Sequence, residues 1–154
     1  MKSWAARFAT LFGIGWSPVA PGTVASAVAL PLAWPLVSFG WHAIALAALL
    51  VTAFGIWACG VYVRKLRVRD PSECVLDEVA GQWFALIPVA LYGRSDWRPF
   101  VLGFVFFRLF DIWKPWPVSA VEKLPGGFGV MMDDVVAGLI AALLVYGALA
   151  IRLV

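Results

Sequence analysis

The sequence predicts an all-α membrane bundle of about five apolar helices preceded by an N-terminal helix lying in the membrane interface. Composition is the first observation behind it: 63% of the 154 residues are hydrophobic and only 14% charged, against roughly 45–50% and about 25% in soluble domains. Mean hydropathy is +0.91. A soluble globule of this size, which suits one domain over 1–154, has too little interior for so much apolar surface. The second observation is two charge-free runs, Ala43–Val63 and Val135–Ile151, each close to the roughly 20 residues needed to cross about 30 Å of hydrocarbon. Nine Trp and eleven Phe add rings of the kind favoured at headgroup level.

Taken in order, Met1–Gly15 places Trp4, Phe8, Leu11 and Phe12 at helical spacing, with Lys2 and Arg7 outside that stripe, the pattern of an interfacial helix. A signal peptide competes, but Gly13 and Gly15 interrupt the apolar run, so the segment is expected to stay in the mature protein. Thr23–Phe39, Val79–Tyr92 and Phe100–Trp113 are apolar but flawed, by Pro31 and Pro35, by Gln82 and Pro88, and by Arg108 and Asp111. They are kinked spans or partly buried bundle helices. Threading the segments in turn puts Lys2, Arg7, Arg64, Lys65, Arg67, Arg69, Lys114 and Lys123 on one face, and Arg94, Arg98 and Arg152 on the other. The excess of Lys and Arg on cytoplasmic loops makes the first face cytoplasmic.

A net charge of +3, with the basic residues beside hydrophobic runs, gives no case for nucleic acid. Two cysteines, Cys59 in an apolar run and Cys74 in a polar stretch, support neither a disulfide framework nor a four-ligand zinc site. His42 is the only histidine and lies in an opposite-face loop, which argues against a phosphohistidine or a Ser–His pair. Lys65 stands where a cysteine-phosphatase loop starting at Cys59 would need Arg, and no two aspartates are separated by a single intervening residue, as in aspartyl-phosphate phosphatases.

The carboxylates carry the signal. All nine follow residue 69, and eight of them, all but Asp96, fall in or beside the expected cytoplasmic stretches. They form clusters: Asp70 and Glu73, Asp77 with Glu78, Asp111, Glu122, and Asp133 with Asp134. Like charges near a low-dielectric boundary repel, and a divalent cation relieves them. Oxygen ligands without His or Cys select Mg²⁺, Mn²⁺ or Ca²⁺, and Mg²⁺ keeps positions for water or phosphate oxygens. Helix capping is the competing reading for the pairs, because Asp77, Glu78, Asp133 and Asp134 are expected to precede apolar helices. Asp111 stands near a helix end, where the dipole opposes an acid; a plain ion pair with Arg108 competes there. Arg108 offers a fork of donors to phosphate and Lys114 a point charge. Two glycine-rich stretches, GIGWSPVAPGT at 13–23 and PGGFGVMMDD at 125–134, read either as tight turns or as loops bringing N–H groups to phosphate.

Three motifs stand together: GIGWSPVAPGTVAS at 13–26, DPSECVLDEVAGQW at 70–83, and FRLFDIWKPWPVSAVEKLPGGFGVMMDDVVAGL at 107–139. In order and content they resemble the phosphatidylglycerophosphatase A family of bacterial membrane phosphatases, over most of the chain. Ala25 departs from the resemblance, which leads one to expect glycine there. The resemblance implies Mg²⁺-dependent removal of the terminal phosphate from phosphatidylglycerophosphate at the cytoplasmic face of the bacterial inner membrane. It also implies a helical bundle with a central helix. Carried over, it gives Asp77, Glu78, Asp111, Asp133 and Asp134 as metal ligands, with Asp77, Asp111 and Asp134 also catalytic. Arg108, Lys114, Thr23 and Ser26 are implied to bind substrate. The alternatives are a phosphatase for another lipid phosphate, such as phosphatidic acid or a polyprenyl phosphate, and a non-enzymatic cation-binding transporter or scaffold whose acids line a pathway.

Overall fold

The computed structural model describes residues 4–94 and 96–154; Lys2, counted above among the basic residues of one face, lies outside them. Among the described residues there are helices and no strands: α1 (Trp4–Ala9), a 3-10 segment (Leu11–Trp16), α2 (Pro21–Ser38), α3 (Trp41–Leu66), α4 (Leu76–Leu91), α5 (Trp97–Trp113), α6 (Val118–Val121) and α7 (Gly126–Ala150). Helices α2, α3 and α7 are long and apolar enough to cross a membrane. Two prolines inside α2, Pro31 and Pro35, do not end it.

Helix α4 is the centre of the bundle. Thirteen of its sixteen residues are buried, and α2, α3, α5 and α7 all pack on it. The outer helices keep apolar stripes exposed at helical spacing: Leu46, Leu49, Leu50, Phe54 and Trp57 on α3, and Val101, Val105, Leu109 and Ile112 on α5. Such stripes have no aqueous use and suit lipid. Glycine lets α4 and α7 approach: a Cβ on Gly138 would run into the Gly81 carbonyl, and Gly81 itself lies against the Phe107 ring and the Asp134 carbonyl. Small residues that bring backbones together are how helices associate in lipid.

Three sequence expectations change. The N-terminal segment is not one helix through Gly15. It breaks after Ala9, where Leu11, Phe12 and Gly13 take positive φ, and Gly15 packs against the Glu73 carbonyl. Its buried residues are Ala5, Ala9, Thr10 and Gly15, while Trp4 and Phe12 stay exposed. Helix α7 begins at Gly126, nine residues before the expected Val135. Gly127 and Gly129 are therefore helical; Gly127 packs against Ile56 and Gly60 of α3, and Gly129 against the Leu124 carbonyl. Close packing, not a phosphate-cradling loop, explains Gly127 and Gly129, while Gly126, at φ +67° with open space around it, is the turn glycine that opens the helix. Finally, Cys59 and Cys74 are paired as a disulfide, Cα atoms 6.3 Å apart, because the C-terminal part of α3 packs beside the segment that leads into α4.

Candidate active site

The ends of four helices meet at one end of the bundle: the starts of α2, α4 and α7 and the finish of α5. Asp77 and Glu78 occupy the first turn of α4, Asp111 the last turn of α5, and Asp133 and Asp134 the third turn of α7. All five are at most 8% exposed. They line one cleft of about 360 Å³, together with Thr23, Arg108, Lys114 and Asp70. Asp133 and Asp134 lie inside α7 rather than ahead of it, so capping does not account for them; the early start of the helix carries them well past its N-terminus.

Two cations stitch the acids together. Arg108 Nη1 donates to Glu78 Oε2 at 2.5 Å and to Asp111 Oδ2 at 2.7 Å. Lys114 adopts a left-handed conformation at the end of α5, from which Nζ donates to Asp133 Oδ2 at 2.7 Å and to Glu122 Oε1 at 2.8 Å. Asp111 is thus an ion-pair partner of Arg108, as sequence spacing allowed, but within a larger cluster. Ser26 does not line the cleft. It is fully buried, and its single hydroxyl hydrogen is shared between Glu78 Oε2 and the Gly22 carbonyl, each 2.8 Å from Oγ, holding a carboxylate in place. A Cβ on Gly22 would strike Glu78 Oε1, so the glycine leaves that carboxylate its room.

The electrostatics are those of carboxylates forced together out of water. Asp77 and Glu78 lie outside the three long apolar helices. Burial, then the charge of Glu78, pushes the Asp77 carboxyl well above its ordinary value. Burial and then Asp111 raise Glu78 to about 7, against the lowering pull of Arg108 and Ser26. For Lys114, burial works against the charge, but the bonds to Asp133 and Glu122 outweigh it and the amine is raised. Among the described residues, no three acid, His or Cys side chains are already closed into a cation cage. The donor set nevertheless fits a hard cation: every candidate ligand is a carboxylate, and Asp134 Oδ2 is buried with no hydrogen-bond partner among the described residues.

Asp70, set aside as one of several acids, lines the cleft. Gln82, noted only as a flaw in an apolar run, is fully buried one turn beyond Glu78. A polar residue inside an apolar helix was the available signal for it.

The chain is 38% identical over 137 residues to phosphatidylglycerophosphatase A of Escherichia coli (strain K12), covering 88% of this chain and 77% of that protein. It is 33% identical over 137 residues to phosphatidylglycerophosphatase A of Haemophilus influenzae, covering 88% and 82%. A putative phosphatidylinositol-3-phosphatase of Bacteroides thetaiotaomicron is 40% identical over 143 residues, covering 88% and 87%. No solved structure matches the chain. With three apolar helices long enough to span, the class is that of an integral membrane lipid phosphatase. The phosphatidylglycerophosphatase A family model matches residues 7–149, and the chain belongs to that family.

Proposed function

We propose that the cleft is the active site and that it dephosphorylates phosphatidylglycerophosphate with Mg²⁺ at the cytoplasmic face of the bacterial inner membrane. The observation that carries this is the convergence of five carboxylates from three helices, with Arg108 and Lys114 among them, in one cleft at one end of an apolar bundle. A lipid phosphomonoester has the matching shape: acyl chains for the apolar flank and a doubly charged headgroup for the cations. Helices α4 and α5 complete a five-helix bundle with the three long ones, and α1 lies in the interface.

Asp77, Glu78, Asp111, Asp133 and Asp134 are the residues that would hold the ion. When bound, Mg²⁺ supplies charge neutralisation of the phosphate and a lowered pKa for water. The chain's own side chains do the rest. Arg108 makes both of its carboxylate contacts through Nη1, so its second terminal nitrogen is not committed to either pair and can meet a phosphate oxygen. Lys114 adds a second positive charge beside Asp133. Asp134, with one oxygen free of protein donors, accepts the proton of the attacking water. The new P–O bond forms as the bond to the glycerol oxygen breaks; that oxygen takes the proton that Asp134 received from the water and leaves as the alcohol of phosphatidylglycerol, and inorganic phosphate departs.

The test is phosphate release by the purified protein in detergent, with phosphatidylglycerophosphate, Mg²⁺ varied and chelator added. Metal-dependent turnover is expected. The Bacteroides relative's name makes phosphatidylinositol 3-phosphate a second lipid for the same assay, beside phosphatidic acid and a polyprenyl phosphate. Faster turnover of one of these would reassign the substrate, and vesicle cation flux without any phosphate release would favour a transporter.

A further inference from the structure

Gln82 is fully buried in the middle helix, yet among the described residues neither its amide oxygen nor its amide nitrogen has a hydrogen-bond partner. An unpaired buried amide costs stability that an apolar side chain of the same shape would return. Structure alone gives no reason to keep it. Its position suggests one. Residues four apart share a helix face, so Gln82 stands one turn deeper than Glu78, the carboxylate that holds Arg108. Helix α5 passes α4 antiparallel, with Phe107 against Gly81 and Gly103 against Leu86. Arg108, next to Phe107, therefore lies level with the turn between Glu78 and Gln82. Arg108 Nε is itself buried without a partner among the described residues. The neighbouring groups of α2 are already engaged: Ser26 with Glu78 and Gly22, and the Ala29 carbonyl with Trp83 Nε1.

We propose that Gln82 is a positioning residue for Arg108: its amide carbonyl accepts the Arg108 Nε–H when a phosphomonoester is bound, fixing the guanidinium plane that meets the phosphate. This rests on the reading above that Arg108 binds substrate phosphate. A guanidinium held at two corners, by Glu78 and Asp111 at Nη1 and by Gln82 at Nε, cannot swivel about its own long axis. Orientation of this kind is worth more in the transition state than in the ground state.

The test is Gln82→Met, with Gln82→Leu as a second apolar variant, each made alone and combined with Arg108→Lys, which has no Nε–H. Phosphate release and thermal unfolding are measured on each purified protein. Loss of a partner that orients a reacting group typically costs about 10–100-fold in rate. The expected result is a fall of that size in kcat, KM within about twofold, and a Tm unchanged or raised by about 2–4 °C. In the Arg108→Lys background the same substitution is expected to change kcat less than about twofold. An unchanged kcat, a fall in Tm alongside the fall in kcat, or an equal loss in both backgrounds would each overturn the proposal. Wild-type protein without phosphate release would instead overturn the functional reading beneath it.

Discussion

Asp111 is the residue with most at stake, because it is the acid that Arg108 holds at the end of an apolar helix. Asp111→Asn preserves shape and removes one charge, so phosphate release is expected to fall by at least about 10²-fold, on the order of one lost electrostatic contact in a transition state, while extraction and Tm stay near wild type. Near-normal turnover would take Asp111 out of the site. Glu78 gives a pH test. Its folded pKa, about 7, lies above the ordinary 4.5, so between those values the folded protein binds more protons than the unfolded one, and stability falls as pH rises from about 5 to about 7. With chelator present, Tm is expected to drop over that range, and the drop to shrink in Glu78→Gln. An identical slope in the variant would show that Glu78 does not set it. The pairing of Arg108 with Asp111 was legible in sequence from their i, i+3 spacing. The support of Glu78 by Ser26 was not, since 52 residues separate them and only the packing of α2 on α4 brings them together.

At the level of elements, the close crossing of α4 and α7 sets the distance between the acids they carry. Gly138→Ala forces a Cβ into the Gly81 carbonyl, and overpacking of this kind costs about 1–3 kcal/mol. A lower Tm and a slower rate are both expected in Gly138→Ala. Leu143→Ala, on the same helix but 72% exposed, is expected to leave the rate unchanged. Equal behaviour of the two variants would mean that the crossing does not position the site. Hydrophobic runs made α3 readable to within a few residues. They failed at α7, because Gly126, Gly127 and Gly129 read together as a turn in sequence, while in the bundle only Gly126 keeps a left-handed φ and Gly127 and Gly129 provide the surface on which α3 and the Glu122–Leu124 segment pack. Glycine is ambiguous until its neighbours are known. The same ambiguity hid the fact that Asp133 and Asp134 lie within a helix, and with it the weakness of a capping role.

Across the whole molecule, polarity is divided between two ends. The acidic cleft shares its end with Arg64, Lys65, Arg67, Arg69 and Lys123, while Arg94, Arg98 and Arg152 lie beside a separate cavity. The Lys and Arg excess favours the cytoplasmic orientation proposed for the cleft end, whereas the Cys59–Cys74 pairing at the same end is of a kind rare in that compartment. Labelling decides between them: a cysteine at Lys123 is expected to be shielded from an impermeant reagent in intact cells and one at Arg152 to react. The reverse pattern would invert the topology. Convergence of the acids is the claim on which the rest stands, and ion binding tests it most directly. Mn²⁺, which accepts the same oxygen ligands as Mg²⁺, can be followed by electron paramagnetic resonance in purified wild-type protein and in Asp134→Asn. Saturable binding in the wild type, competed by Mg²⁺ and lost in the variant, is the predicted result; no binding in the wild type, or undiminished binding in Asp134→Asn, would contradict it.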